Sequence, residues 1–160
     1  MLKNIKKNNI KIIVNNKYVQ YNMFISKELE AGIALQGWEV KAIRKKKVNI
    51  SKSYITIKNN SAYLIGALFQ PIVACHPHLV YDQMRSRQLL LKKSELNSLI
   101  GYSKINGFTI VVCCLYWKNS YIKAKIGVAK GKTKHDKRLN IKNKEWKIKK
   151  MRLLKIKNIS

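Results

Sequence analysis

Thr109–Trp117, TIVVCCLYW, leads through Lys118, Asn119 and Ser120 into Tyr121–Ala129, YIKAKIGVA. The first segment is the longest apolar run of the chain, and its β-branched and aromatic residues predict a central strand. Asn119-Ser120 predicts a turn. The second segment alternates, with Ile122, Ala124, Ile126 and Val128 on one face and Lys123 and Lys125 on the other. One apolar face and one lysine face suit a small barrel whose outside meets a polyanion.

Upstream of this pair, Lys11–Asn15 reads as a first strand. Ser26 is placed to cap a short helix, with Glu28 in its first turn and Gly32 just past its end. Trp38–Arg44 alternates and reads as a half-buried strand, closed by Lys45, Lys46 and Lys47. Tyr54–Lys58, Asn59-Asn60 and Ala62–Leu68 predict a hairpin with a tight turn, because Asn tolerates positive φ. Pro71 and Pro77 bracket a loop holding Cys75, His76 and His78. Ser94 is placed to cap a second helix carrying Leu96, Leu99 and Ile100 and ended by Gly101. The expected fold is mainly β: about six strands in a small closed antiparallel barrel of the oligonucleotide-binding type, with two or three short helices. A β-sandwich is the alternative. Residues 1–10 read as a flexible basic arm, 11–130 as the barrel and 131–160 as a basic C-terminal tail.

The tail carries thirteen Lys and Arg from Lys130 onward against two acids, Asp136 and Glu145. Its apolar residues do not line up in one helical stripe: Trp146 and Leu153 share a face, and Ile141 and Ile148 lie on another. Such a segment is expected to be disordered when free and helical on an anionic partner.

Across 160 residues, 34 Lys and Arg face 7 Asp and Glu, a net charge of +27. A field of that strength draws polyanions but says nothing of fold. Lys far outnumbers Arg, so part of the charge reflects composition bias, and the few Arg (Arg44, Arg85, Arg87, Arg138 and Arg152) are the better candidates for directed contacts. Three cysteines make no disulfide framework, which fits buried thiols in a reducing cytoplasm. The N-terminal residues lack the apolar core of a signal peptide, and no apolar run reaches the length of a membrane span.

His135 beside Asp136 raises the possibility of an acid–base pair. Sequence neighbours seldom face one another, and a tail lacks the rigidity that catalytic geometry needs, so base stacking by the histidine is the preferred reading. Cys75, His76 and His78 with Cys113 or Cys114 match no zinc-finger spacing, and no metal or other cofactor is expected. GVAKGK lacks the spacing of a phosphate loop. Glu30 and Glu39 stand out as acids in a cationic chain: each is either half of a local salt bridge or an acceptor for base amino groups.

Six blocks in order, EAGIALQGWEVKAIR (30–44), NISKSY (49–54), RSRQLLL (85–91), YWKN (116–119), KIGVAKGK (125–132) and HDKR (135–138), resemble the SsrA-binding protein family of bacteria, also called small protein B. The likeness runs from about residue 12 into the tail. It implies an oligonucleotide-binding-type barrel that binds the tRNA-like domain of transfer-messenger RNA and brings it to stalled ribosomes. The tail would enter the decoding centre and the empty message channel. Carried over by position, Asn16, Glu30 and Leu90, with Lys123, Lys125 and Lys130, are implied in transfer-messenger RNA binding. Lys17, Arg85 and Arg87 join them as barrel contacts. Lys132, Lys134, His135, Asp136, Lys137 and Arg138 would meet ribosomal RNA at the decoding centre, and Trp146, Leu153 and Leu154 would serve accommodation. Gln83 stands where a proline is usual, and Gln88 where a basic residue is. The expected protein is a nonenzymatic cytoplasmic monomer whose partners are transfer-messenger RNA and the ribosome, with no membrane role. A generic ribosome-associated RNA chaperone and a small ribonuclease are the competing classes.

Overall fold

The central pair of strands anticipated from the sequence organises the computed structural model, which describes residues 10–72 and 81–157. More of the described residues lie in strands than in helices, so the fold is mainly β. In chain order the described elements are β1 (Ile10–Asn15), α1 (Lys17–Asn22), β2 (Met23–Ile33), α2 (Gly37–Arg44), β3 (Val48–Asn49), β4 (Tyr54–Lys58), β5 (Ser61–Ile65), β6 (Leu68–Phe69), β7 (Arg87–Leu90), α3 (Lys93–Ser103), β8 (Phe108–Lys118), β9 (Tyr121–Gly131) and α4 (Lys134–Lys157). The chain divides into two units between Lys130 and Gly131.

Asn119, at φ 56°, turns β8 antiparallel onto β9, which then pairs with it from Lys118↔Tyr121 to Phe108↔Lys130. On its other side β8 pairs with β1 and, at Val111, with β4. From β4 the ladder passes to β5, β7, β2 and β9, and so returns to β8. Asn59 and Asn60, at φ 46° and 56°, make the tight β4–β5 turn that their side chains allow. The inward residues of β9, Ala124, Ile126 and Val128, are buried with Val112 and Leu115 of β8 and with Leu64, Phe69, Leu89 and Leu99. On the opposite face of β8 and β9, Val111, Cys113 and Ala129 pack with Val19 of α1 and with Met23 and Ile25. Gly127 permits that second cluster: a Cβ there would lie 2.8 Å from Cys113 Sγ and 3.2 Å from Ile25 Cγ2. Burial pushes the Cys113 thiol up to about 11, so it is an inert core group rather than a nucleophile.

A bulge between Val112 and Cys114 breaks the β8 register. Asn16, at the end of β1, serves the backbone beside it. Its N–H donates to Cys113 O at 2.8 Å, and its Nδ2 donates to Val112 O at 3.1 Å and to Ile50 O at 2.8 Å. Its Oδ1 accepts from Val19 N at 3.1 Å, which caps α1.

Several expected elements differ. The helix expected at Ser26 is the strand β2, in which Leu29 and Ala31 join the core while Glu28 and Glu30 alternate onto the other face. Pairing with β7 and β9 overrides the local capping signal. The strand expected at Trp38–Arg44 is α2. Its buried residues are Glu39, Ala42 and Ile43, a helical spacing, and Glu39 Oε2 accepts the Gln36 N–H at 2.7 Å to fix the first turn. The second expected helix begins one residue before Ser94, with Lys92 as its N-cap, and runs through Gly101 to Ser103. Nine strands and four helices among the described residues replace the six strands and two or three helices expected. The basic arm up to residue 9 and the loop with Cys75, His76 and His78 lie outside the described residues.

Arg87 is fully buried, and every one of its contacts holds the fold. Its Nε donates to Glu39 Oε1 at 2.7 Å, its Nη1 to Ala67 O and Arg85 O, and its Nη2 to Gln83 O, while the guanidinium lies 3.8 Å from the centre of the Phe69 ring. Arg85 completes the cluster, with Nε 2.8 Å from Glu39 Oε1 and Nη2 2.5 Å from Glu39 Oε2. Burial raises the Glu39 carboxyl, but hydrogen bonds from Arg85 and the Gln36 N–H, with the charge of Arg87, outweigh it and leave the group ionised below its ordinary value. The cluster ties α2 to the entry of β7, which carries Gln88, Leu89 and Leu90.

Candidate nucleic-acid interface

Among the expected barrel contacts, Glu30 stands at the centre of an outward array. Tyr116 Oη donates to its Oε2 at 2.5 Å, and Lys118 Nζ lies 3.0 Å from each carboxylate oxygen. Because both donors favour the charged form, Tyr116 first and Lys118 next, the Glu30 carboxyl sits below its usual range. Burial and the adjacent carboxylate push the Tyr116 phenol up, which keeps it a hydrogen-bond donor. Glu28, two residues earlier and on the same face of β2, pairs with Lys125 of β9 at 2.6 Å.

A cavity of about 570 Å³ opens beside this array. Glu30, Gly32, Asn60, Gln88, Leu90 and Lys123 line it, with the Leu91–Lys92 segment and Glu95. Gly32 is opposite Leu90 in the β2–β7 ladder, and a Cβ on Gly32 would meet Leu90 Cβ at 3.2 Å, so the glycine leaves Leu90 its place beside the cavity. Leu90 is 57% exposed, an apolar surface ringed by polar and cationic groups. Concave shape, one exposed leucine, an ionised carboxylate and flanking lysines form a surface that can seat an unstacked base and its phosphates.

The expected contacts thus separate. Glu30, Leu90 and Lys123 come together at the cavity. Lys125 adjoins through Glu28, and Lys17 and Lys130 are exposed elsewhere on the same unit. Asn16 and Arg87 are buried, Asn16 bound to backbone groups and Arg87 to Glu39 and backbone carbonyls. Arg85 is part-exposed but engaged by Glu39. Both conspicuous acids are in local salt bridges, Glu39 with Arg85 and Arg87 in the interior and Glu30 with Lys118 at the surface. Tyr116 and Lys118 were not anticipated, although strand alternation from Cys114 to Lys118 puts both on one face.

In the second unit, Lys132 and Thr133 lead into α4, which contains Lys134, His135, Asp136, Lys137 and Arg138. Asp136 is not paired as a base to His135; it closes a capping box. Thr133 Oγ1 donates to Asp136 Oδ2 at 2.7 Å, Thr133 N donates to the same oxygen at 3.0 Å, and Asp136 N returns a bond to Thr133 Oγ1 at 3.3 Å. Those hydrogen bonds hold the Asp136 carboxyl below its ordinary value. The T-x-x-D spacing was a readable signal for this cap. Trp146 is 68% exposed, and Ile141, Ile148 and Met151 are exposed too. Leu153 and Leu154 fall within the α4 backbone, their side chains lying outside the described residues.

Among the described residues no group of His, Cys, Asp and Glu is arranged to hold a metal ion, and no helix is long and apolar enough to cross a membrane. A solved structure described as "tmRNA-SmpB: a journey to the center of the bacterial ribosome" is similar to this chain, with 33% sequence identity and a TM-score of 0.63 over 76% of this chain and 85% of that one. The family model described as SmpB protein matches residues 13–156, nearly the whole of both units, and the chain belongs to the SmpB protein family.

Proposed function

We propose that this protein binds the tRNA-like domain of transfer-messenger RNA, delivers it to stalled ribosomes, and reads the decoding centre and empty message channel with its C-terminal segment. The observation that carries the proposal is the cavity at Glu30, Leu90 and Lys123 on a strand unit that is separate from a strongly cationic helix. Family membership and likeness to a tmRNA–SmpB structure support the same reading. The strand unit acts as a closed barrel of the oligonucleotide-binding type, a reading supported by the ladder that returns to β8. Glu30, Leu90, Lys123, Lys125, Lys130 and Lys17 face the tRNA-like RNA, and Arg85 contributes where its bond to Glu39 leaves it accessible. Residues 131–160 form the ribosome-reading segment, whose helix is stabilised on ribosomal RNA, with His135 stacking and Lys132, Lys134, Lys137 and Arg138 on phosphate. Trp146, Leu153 and Leu154 are its apolar anchors. The protein acts as a cytoplasmic monomer through binding alone, without cofactor or catalytic step.

Competition between a tRNA-like domain and bulk tRNA tests the proposal. The tRNA-like RNA is expected to win by at least about tenfold at physiological salt, with both affinities falling as salt rises. Equal competition would sink the proposed specificity.

A further inference from the structure

Glu30 lines the cavity, but the two groups that hold its carboxylate, Tyr116 and Lys118, do not. They approach from β8, whereas Glu30 is on β2 and β9 lies between those strands in the ladder. The hydroxyl of Tyr116 takes one acceptor site of Oε2, and the ammonium of Lys118 bridges both oxygens. A carboxylate has about four acceptor sites, so roughly one is left for a ligand. A glutamate on an exposed strand otherwise samples several rotamers and loses that freedom on binding. Here the carboxylate is fixed before any ligand arrives, while its neighbour Lys123 stays on the cavity wall.

We propose that Tyr116 and Lys118 are positioning residues that act through Glu30, aiming its remaining acceptor site at an amino or hydroxyl donor of an unstacked nucleotide in the cavity. This rests on the RNA-binding role proposed above and adds the device that makes Glu30 selective. A donor on the nucleotide meets a preset acceptor, and a phosphate meets the same carboxylate as a repulsive wall, so backbone-only binding of arbitrary RNA is disfavoured at this spot. Lys118 also offsets the negative charge, which keeps the carboxylate compatible with an RNA face.

The test uses the full chain with Tyr116→Phe, Lys118→Met, Glu30→Gln and the double variant Glu30→Gln/Tyr116→Phe, each assayed against a tRNA-like domain RNA and against a plain RNA duplex. Tyr116→Phe removes one oxygen and leaves the ring in its packing. Wild type is expected to prefer the tRNA-like RNA. Tyr116→Phe is expected to lose that preference by about tenfold, with duplex affinity and melting temperature unchanged. Lys118→Met should lose it in the same direction, and the double variant should be no worse than Glu30→Gln, since Tyr116 acts only through Glu30. Selective binding by wild type that survives in both Tyr116→Phe and Lys118→Met, or losses in the double variant that simply add, would overturn the positioning role alone. Absence of any preference in wild type would overturn the proposed function, and this device with it.

Discussion

Arg87 and Arg138 are the same residue in two opposite settings. In the strand unit, Arg87 is buried beside Glu39, and its Nε and both Nη atoms are bound within the protein. In the C-terminal unit, Arg138 is exposed on α4, whose described side chains are nearly all exposed, Trp146 among them. Asn16 and Glu39 follow Arg87, whereas Lys134 and His135 follow Arg138. The contrast teaches that a polar side chain of this chain is drawn inward where a neighbouring strand or carboxylate supplies its partner and stays at the surface where none does. The first unit holds itself together and presents a small patch. In the second, Thr133 and Asp136 lock the start of α4, and most of its described side chains are exposed.

Ending the chain after Gly131 separates the two most sharply. Delivery of the tRNA-like RNA to stalled ribosomes is expected to be abolished while its selective binding persists, measured by co-sedimentation with stalled ribosomes beside competition binding; retained delivery would dissolve the proposed division between the units. Next in size is Glu39→Ala, which leaves Arg87 buried without its counter-ion and should destabilise the first unit by about 3–5 kcal/mol in chemical denaturation. Should Glu39→Ala instead change RNA affinity with stability intact, Arg87 would have to be counted with the RNA contacts. Asn16→Ala strands the carbonyls of Ile50 and Val112 and uncaps α1, a loss of about 3 kcal/mol read in the same way. The smallest effect belongs to Asp136→Ala: circular dichroism should show reduced helix content from α4 with the melting of the strand unit unchanged. Because its folded carboxyl is depressed by Thr133, the cap contributes fully above the ordinary carboxylate range and is lost as the pH falls through the depressed value. Helix content should therefore drop on acidification in wild type and stay flat across that window in Asp136→Ala; the same acid response in both would show that Asp136 does not hold the start of α4.

Local pattern was sufficient for β8, β9, the Asn59-Asn60 hairpin and the exposed, unstriped character of the C-terminal segment. Those features depend on side-chain period, turn chemistry and charge, all of which act between near neighbours. Glu30, Leu90 and Lys123 could be singled out through family likeness, but their meeting at one cavity depends on the pairing of β7, β2 and β9. Tertiary structure decided that Ser26 lies in a strand, because long-range ladders outweigh weak local propensities, whereas the helix at Trp38–Arg44 combines a local Gln36–Glu39 cap with the buried Glu39–Arg87 pair. It alone decided which polar side chains are internal. Asn16 is called inward by a bulge and a carbonyl 96 positions away, and Arg87 by a carboxylate 48 positions away, partners that no local window of sequence contains.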